Sequence, residues 1–144
     1  MIPIKLRPAQ PDDINFILNS WLKVMRAEIP NNCPNEIFYR IHKERIMKTL
    51  QRALVTIAAN PEDESQIFGY MVWEHPETIH FAFVKSPFRR LKIFQRLLDN
   101  VLGTKKFCTY TQHTWATNFF RRTLRLIYNP YMFYLGDAYE NQTN

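Results

Sequence analysis

Residues 78 to 98, TIHFAFVKSPFRRLKIFQRLL, join a strand to a basic helix, and their reading decides the fold. Ile79, Phe81 and Phe83 alternate with His80, Ala82 and Val84, the period of two that a β-strand imposes. Pro87 follows where the first turn of a helix tolerates a missing N–H. Beyond it Ile93, Leu97 and Leu98 recur at helical spacing, with Leu102 a turn further, so the pattern predicts a helix over Pro87–Leu102 joined to the strand with almost no loop. Lys85, Arg89, Arg90, Lys92 and Arg96 crowd its start and polar side. Amide donors and the positive end of a helix dipole, surrounded by cations, suit this junction to an anion. The competing reading is an ordinary amphipathic helix whose Arg and Lys are solvated.

The run from Val84 to Leu98, VKSPFRRLKIFQRLL, resembles the strand–turn–helix signature of GNAT acyltransferases, in which a Q/R-x-x-G-x-G/A turn receives the pyrophosphate of acetyl-CoA. Arg89 takes the first place of that motif, and its two small positions fall on Lys92 and Phe94. The resemblance implies a cofactor, acetyl-CoA or another acyl-CoA, held by Phe83 and Val84 of the strand and by Arg89, Arg90, Leu91, Lys92, Ile93 and Phe94 of the turn. Small residues serve there because backbone must come close to phosphate oxygens. A phenylalanine ring could fill that space, and Lys92 could offset the loss with charge. The departures lean the expectation towards weak acetyl-CoA binding, or no cofactor at all.

A chain of 144 residues is long enough for one domain with a proper core, predicted here as 1–136 with a frayed tail at 137–144. Apolar residues form 46% and aromatics 15%, too rich for disorder. The net charge of +6 favours an anionic partner, whether a nucleotide-bearing cofactor, nucleic acid or another acidic surface. Cys33 and Cys108 lack metal-type spacing, so no metal is expected and a reducing compartment is the simpler setting. No apolar run approaches the roughly 18 residues of a membrane span, and the N-terminus has no secretory pattern. A soluble, cytoplasmic protein is expected.

In chain order, Ile4 and Leu6 mark a short strand closed by Pro8, and Pro11-Asp12-Asp13 opens a helix with the apolar stripe Ile14, Ile17, Leu18, Trp21, Leu22 and Met25. A second helix is predicted from about Glu36 to Arg52, with Phe38, Ile41, Ile46, Met47 and Leu50 on one face. Leu54–Ala59 and Ile67–Glu74 read as strands around the polar connector Asn60–Gln66, with Gly69 marking a bulge or a close approach. After Gly103, Phe107–Gln112 alternates as a strand that should lie beside Thr78–Lys85 and parallel to it, with a cleft where the two splay. A helix from Thr114 to about Leu126 and a last strand at Tyr131–Leu135 complete the order β-α-α-β-β-β-α-β-α-β. That order is similar to the GNAT domain across nearly the whole chain, and it implies an α/β (α+β) fold: a mixed, mostly antiparallel sheet with helices on both faces. A narrower likeness is to GNAT-like proteins of tailed bacteriophages, through Asn15-Phe16-Ile17, Asn19-Ser20-Trp21-Leu22-Lys23, Phe83-Val84-Lys85, Phe88-Arg89-Arg90-Leu91 and Tyr128-Asn129-Pro130-Tyr131. It would place the protein in the host cytoplasm or in a virion.

Acyl transfer to an amine needs a base for the nitrogen and a proton for the departing thiolate. Where the family can carry a carboxylate base on the cofactor strand, this chain has Thr78, with Glu77 beside it and His80 two residues on. His80 is the first candidate base, although a strand histidine among aromatics is commonly a packed, hydrogen-bonded residue. Tyr110 and His113 lie where the family often places the acid, with Tyr128 nearby; Glu74 and Asp137 are spare carboxylates. No G-x-S-x-G, P-loop, H-E-x-x-H or C-x-x-C is present, which removes serine hydrolase, NTPase and zinc chemistry. Three functions follow: an acyl-CoA-dependent N-acyltransferase acting on an amine; a GNAT-fold binding or structural protein, of phage type, meeting a protein partner; and a nucleic-acid binder or modifier using Arg121, Arg122 and Arg125 beside Trp115 and Phe119.

Overall fold

The computed structural model describes residues 2–28, 31–75, 77–112 and 125–134, and among them six strands form one sheet in the order β1-β2-β3-β4-β5-β6. β1 (Lys5–Pro8), β2 (Leu54–Asn60), β3 (Asp63–Glu74) and β4 (Thr78–Val84) pair antiparallel in succession. β5 (Phe107–Tyr110) lies parallel to β4, and β6 (Arg125–Tyr128) parallel to β5. α1 (Ile14–Glu28), extended at its start by a 3-10 turn at Pro11–Asp13, and α2 (Asn35–Arg52) cover one face. α3 (Ile93–Leu102) covers the other.

Alternation along the strands sends successive side chains to the two faces. Ile57, Tyr70, Val72 and Phe81 meet Ile17, Trp21, Met25, Phe38 and Ile46 of α1 and α2. Ala58, Met71, Val84 and Cys108 meet Ile93, Leu97, Leu98 and Leu102 of α3. Burying each large apolar side chain contributes about 1.5–3 kcal/mol, so both layers are held mainly by these contacts. Trp21, wholly buried, stacks on Phe81 with ring centroids 5.0 Å apart and planes 5° off parallel. The expected α/β sheet with helices on both faces, and the parallel β4–β5 pair, are thus both present.

Several boundaries differ from expectation. α3 begins at Ile93, not at Pro87, which sits in a 3-10 turn at Ser86–Phe88. Arg89 returns to extended backbone, and Arg90 and Lys92 take positive φ, so the chain cannot continue a right-handed helix there. The polar connector after Asn60 shrinks to a tight turn, because β3 already starts at Asp63 and ladder hydrogen bonding does not require apolar side chains. Ile41, expected on the packed face of α2, is 55% exposed, while Phe38 and Ile46 are buried. Arg125 and Leu126, read as the end of a helix, belong to β6, where backbone bonds from Arg125 N to Lys106 O (3.1 Å) and Asn129 N to Tyr110 O (2.9 Å) extend the sheet. Tyr131, read as the start of a last strand, lies in a 3-10 turn at Pro130–Tyr134; the proline pre-sets helical φ, and Asn129 Oδ1 accepts the Tyr131 amide at 3.2 Å. The predicted helix core from Thr114, with its arginines 121 and 122, and the tail at 137–144 lie outside the described residues.

Candidate functional site

The turn between β4 and α3 is built on three supports. The Val84 carbonyl accepts the Arg89 side chain Nε at 3.0 Å, the Phe88 ring packs 4.3 Å from that of Phe68, and Leu91 packs into the α3-side core. Lys85 O accepts the Phe88 amide at 2.9 Å, closing the 3-10 turn. Arg90 (φ 69°) and Lys92 (φ 61°, ψ 20°) then adopt the left-handed conformation that non-glycine residues take at a cost of roughly 1–2 kcal/mol each. The side chain of Lys92, the N-cap of α3, makes no capping bond, and the Lys92 carbonyl accepts the Arg96 amide at 3.1 Å. The side chains of Arg89, Arg90 and Lys92 are exposed around this helix start, so donors and cations converge on it.

Phe94, at the second small position of the motif, is half-buried and packs against the α3-side core. Ile93 is buried in the same layer. Of the strand residues expected to hold a cofactor, Phe83 faces α1 beside Phe16 and Tyr70, and Val84 faces α3. Lys85 reaches back over the Phe16 ring at 4.9 Å and lines a cavity of about 300 Å³ with Arg7, Asp12, Asp13 and Glu64. In that cavity wall Arg7 and Asp13, both buried, form a two-pronged ion pair at 2.7 and 3.1 Å.

Among the described residues the pairing of β4 with β5 stops short of the end of β4. Their ladder consists of Thr78 opposite Thr109 and Ile79 opposite Tyr110, and the Thr111 amide donates to Ile79 O at 3.1 Å. From Phe81 to Val84 the ladder of β4 among the described residues is with β3 alone. At the parting point β4 carries a bulge: Val72 pairs with Phe81 and Trp73 with Ile79, leaving His80 as the extra residue. Bulges re-aim side chains, and here the imidazole turns to the α1–α2 face, 6.0 Å from the ring of Phe133.

His80 is enclosed, its side chain having no exposed surface. Nε2 lies 2.7 Å from Glu74 Oε1 and Nδ1 lies 3.0 Å from Thr111 Oγ1. The carboxylate can only accept, which fixes the proton on Nε2 and leaves the Nδ1 lone pair for the threonine hydroxyl. Burial pushes the imidazole pKa down, Glu74 opposes that, and nearby Arg52 adds to it, so His80 is neutral at pH 7. Arg52 also donates to Glu74 Oε1 at 3.2 Å and to Phe133 O at 3.2 Å. Tyr110 does not join this group; alternation turns it to the other side from Thr111, where its ring sits 5.3 Å from Tyr128. His113 lies outside the described residues. Glu74, judged a spare surface carboxylate from sequence, is a central member, and Thr111 and Arg52 went unnoticed as site residues. The signal was present in part, since a parallel β4–β5 register brings Thr111 beside His80.

Gly69 confirms the expected close approach: a Cβ there would stand 2.6 Å from the Phe83 carbonyl oxygen. Among the described residues no group of three His, Cys, Asp or Glu side chains could hold a metal ion, and no helix is long and apolar enough to cross a membrane.

No protein-family model and no curated protein matches this sequence. Solved structures do match. The apo form of YjaB from Escherichia coli superposes with a TM-score of 0.62 at 15% identity, over 85% of this chain and 82% of that one. A GCN5-related N-acetyltransferase from Rhodopseudomonas palustris gives 0.60 at 17% identity, over 85% and 81%. An acetyltransferase candidate from Pyrococcus furiosus gives 0.57 at 15% identity, over 99% and 93%. With the strand order, the parallel β4–β5 pair and the turn before α3, these likenesses show that the chain has the GNAT fold.

Proposed function

We propose that the protein is an acyl-CoA-dependent N-acyltransferase, with the cofactor pyrophosphate received at the turn 89–94 and the acyl group carried towards the parting of β4 and β5. The observation that carries this reading is the left-handed backbone of Lys92. That residue occupies the first small position of the motif and keeps the conformation for which glycine is ordinarily used, although the glycine itself is gone. Strained backbone of this kind persists where the surroundings hold it in place, and such positions cluster at ligand sites. Phe94 packs inward, which removes the steric objection raised by its size. Lys92 supplies charge where the family has a neutral small residue, Arg90 adds a second cation two positions before it, and charge-assisted bonds to phosphate contribute about 1.5–3 kcal/mol each.

Acyl-CoA, when bound, supplies the thioester. This chain's residues orient it along β4 beyond the described β4–β5 ladder and must take a proton from the acceptor amine. A second reading, a GNAT-fold binding protein without catalysis, is favoured by the enclosure of His80 and by Thr78 standing where the family can place a carboxylate. The tailed-phage and nucleic-acid readings rest on sequence likeness and charge alone. Release of free thiol from acetyl-CoA, followed with spermidine, tyramine and lysine amide as acceptors, separates the first two. Amine-dependent release supports the enzyme, and saturable binding without release supports the binding protein.

A further inference from the structure

Four elements converge on the imidazole of His80: Glu74 from β3, Arg52 from the end of α2, Thr111 after β5 and Phe133 from the last 3-10 turn. The charged groups among them are Glu74 and Arg52. Both ring nitrogens are engaged, so the imidazole has no lone pair left for a substrate proton. A base that cannot touch substrate can still act through the hydroxyl bonded to it. In an oxygen–imidazole–carboxylate chain the carboxylate fixes the tautomer and stabilises the imidazolium, while the hydroxyl exchanges protons with the reacting group. The distances here, 3.0 Å and 2.7 Å, are those of such a chain.

We propose that Thr111, His80 and Glu74 form a proton relay in which the Thr111 hydroxyl is the catalytic group that meets the acceptor nitrogen. This deepens the acyltransferase reading and rests on it. As the nitrogen forms its bond to the acyl carbon it loses one proton to Thr111 Oγ1, and the proton of Thr111 passes to His80 Nδ1. The imidazolium formed is held by Glu74, whose own position Arg52 fixes. When the carbon–sulfur bond has broken, the same proton returns through Thr111 and leaves on the thiol, which restores the relay. His80, Glu74 and Arg52 are positioning residues in this scheme. Among the described residues Thr111 is the last one tied to β4, beyond the end of the β4–β5 ladder, at the edge an acceptor approaching the thioester would meet. It is buried, with 3% exposed. On the α1–α2 side the Phe133 ring packs 6.0 Å from the imidazole, and the Phe133 carbonyl accepts from Arg52 at 3.2 Å.

The test compares Thr111→Val, Thr111→Ser and Glu74→Gln with the unaltered protein in acetyl-CoA binding, thermal midpoint and the pH dependence of thiol release to spermidine, tyramine and lysine amide. A long-range ¹H–¹⁵N spectrum of the unliganded protein reads the His80 tautomer independently. The relay predicts the Nε2–H tautomer, and Thr111→Val should lose about a hundredfold or more in kcat, as for removal of a general base, at unchanged acetyl-CoA affinity. Thr111→Ser should restore most of it, and Glu74→Gln should move the acid limb of the profile to lower pH. An Nδ1–H tautomer, full activity in Thr111→Val, or bound acetyl-CoA with no amine-dependent release in the unaltered protein would overturn the relay. Absence of acetyl-CoA binding would instead overturn the acyltransferase reading itself.

Discussion

Nε2 of His80 and Oε1 of Glu74 stand 2.7 Å apart, and the same carboxylate oxygen takes a bond from Arg52, so one atom links the bulge of β4 to the end of α2. The enclosed imidazole is neutral, and its folded pKa lies below the ordinary value of about 6.5. The unfolded chain therefore binds the extra proton first as pH falls. Stability should be full above about pH 6.5 and should decline as pH drops from there to the folded pKa, by up to about 1.4 kcal/mol per pH unit for one proton. His42, lowered by burial and by Arg45, acts in the same direction. Urea midpoints between pH 7.5 and 5 should fall for the natural protein and fall less steeply for His80→Asn.

Arg7 and Asp13 hold the start of α1 to β1. The guanidinium reaches both carboxylate oxygens and the Glu64 carbonyl, and the Gln10 amide donates to Asp13 Oδ2 at 2.7 Å. Removing one partner of a buried pair leaves the other uncompensated, at a cost of about 3–5 kcal/mol. Asp13→Asn should lower the urea midpoint accordingly. The guanidinium also holds the Asp13 carboxyl below its usual range, against the opposing effect of burial. Its contribution is thus complete above about pH 3.9 and is lost only as pH falls through the lower folded value.

Gly69→Ala should cost about 1–3 kcal/mol, because the new methyl would meet the Phe83 carbonyl at 2.6 Å and Val84 Cγ2 at 3.1 Å, and backbone must shift to admit it. Thermal unfolding reads this directly. A neutral result would mean that β3 and β4 slide apart at no cost.

Lys92→Gly tests the strain at the turn. The lysine side chain does not cap α3 and its backbone is left-handed, so glycine should stabilise the fold by about 1 kcal/mol. A mid-helix position would have given the opposite sign. Phe94→Ala, at a half-buried site, should cost less than the ~3–5 kcal/mol of a fully buried phenylalanine. Paired thermal melts of the two variants should move in opposite directions.

Periodicity made the layers legible from sequence. The stripe of α1 and the alternation of β4 each encode a buried face, and a strand–helix–strand order forces the parallel β4–β5 pair. Backbone departures were not legible. Nothing in the side chains of Arg90 and Lys92 announces positive φ, so the sequence pattern starts the helix at Pro87, six residues before its actual start. β6 was hidden because its partner is distant in sequence, and Leu126 and Tyr128 alone do not distinguish strand from helix. At the site, His80 was visible as a histidine among aromatics. Its partners Glu74, Arg52 and Thr111 emerge only from the strand register and the bulge, which composition does not carry.

The central claim is that the turn before α3 receives the phosphates of acyl-CoA, and calorimetric titration of acetyl-CoA into the natural protein and into Arg89→Ala/Lys92→Ala tests it most directly. The account predicts saturable binding of one cofactor per chain and a loss of about a hundredfold or more in the double variant, on the order of 1.5–3 kcal/mol for each of the two lost contacts. No binding by the natural protein, or equal affinity in the two, would contradict it.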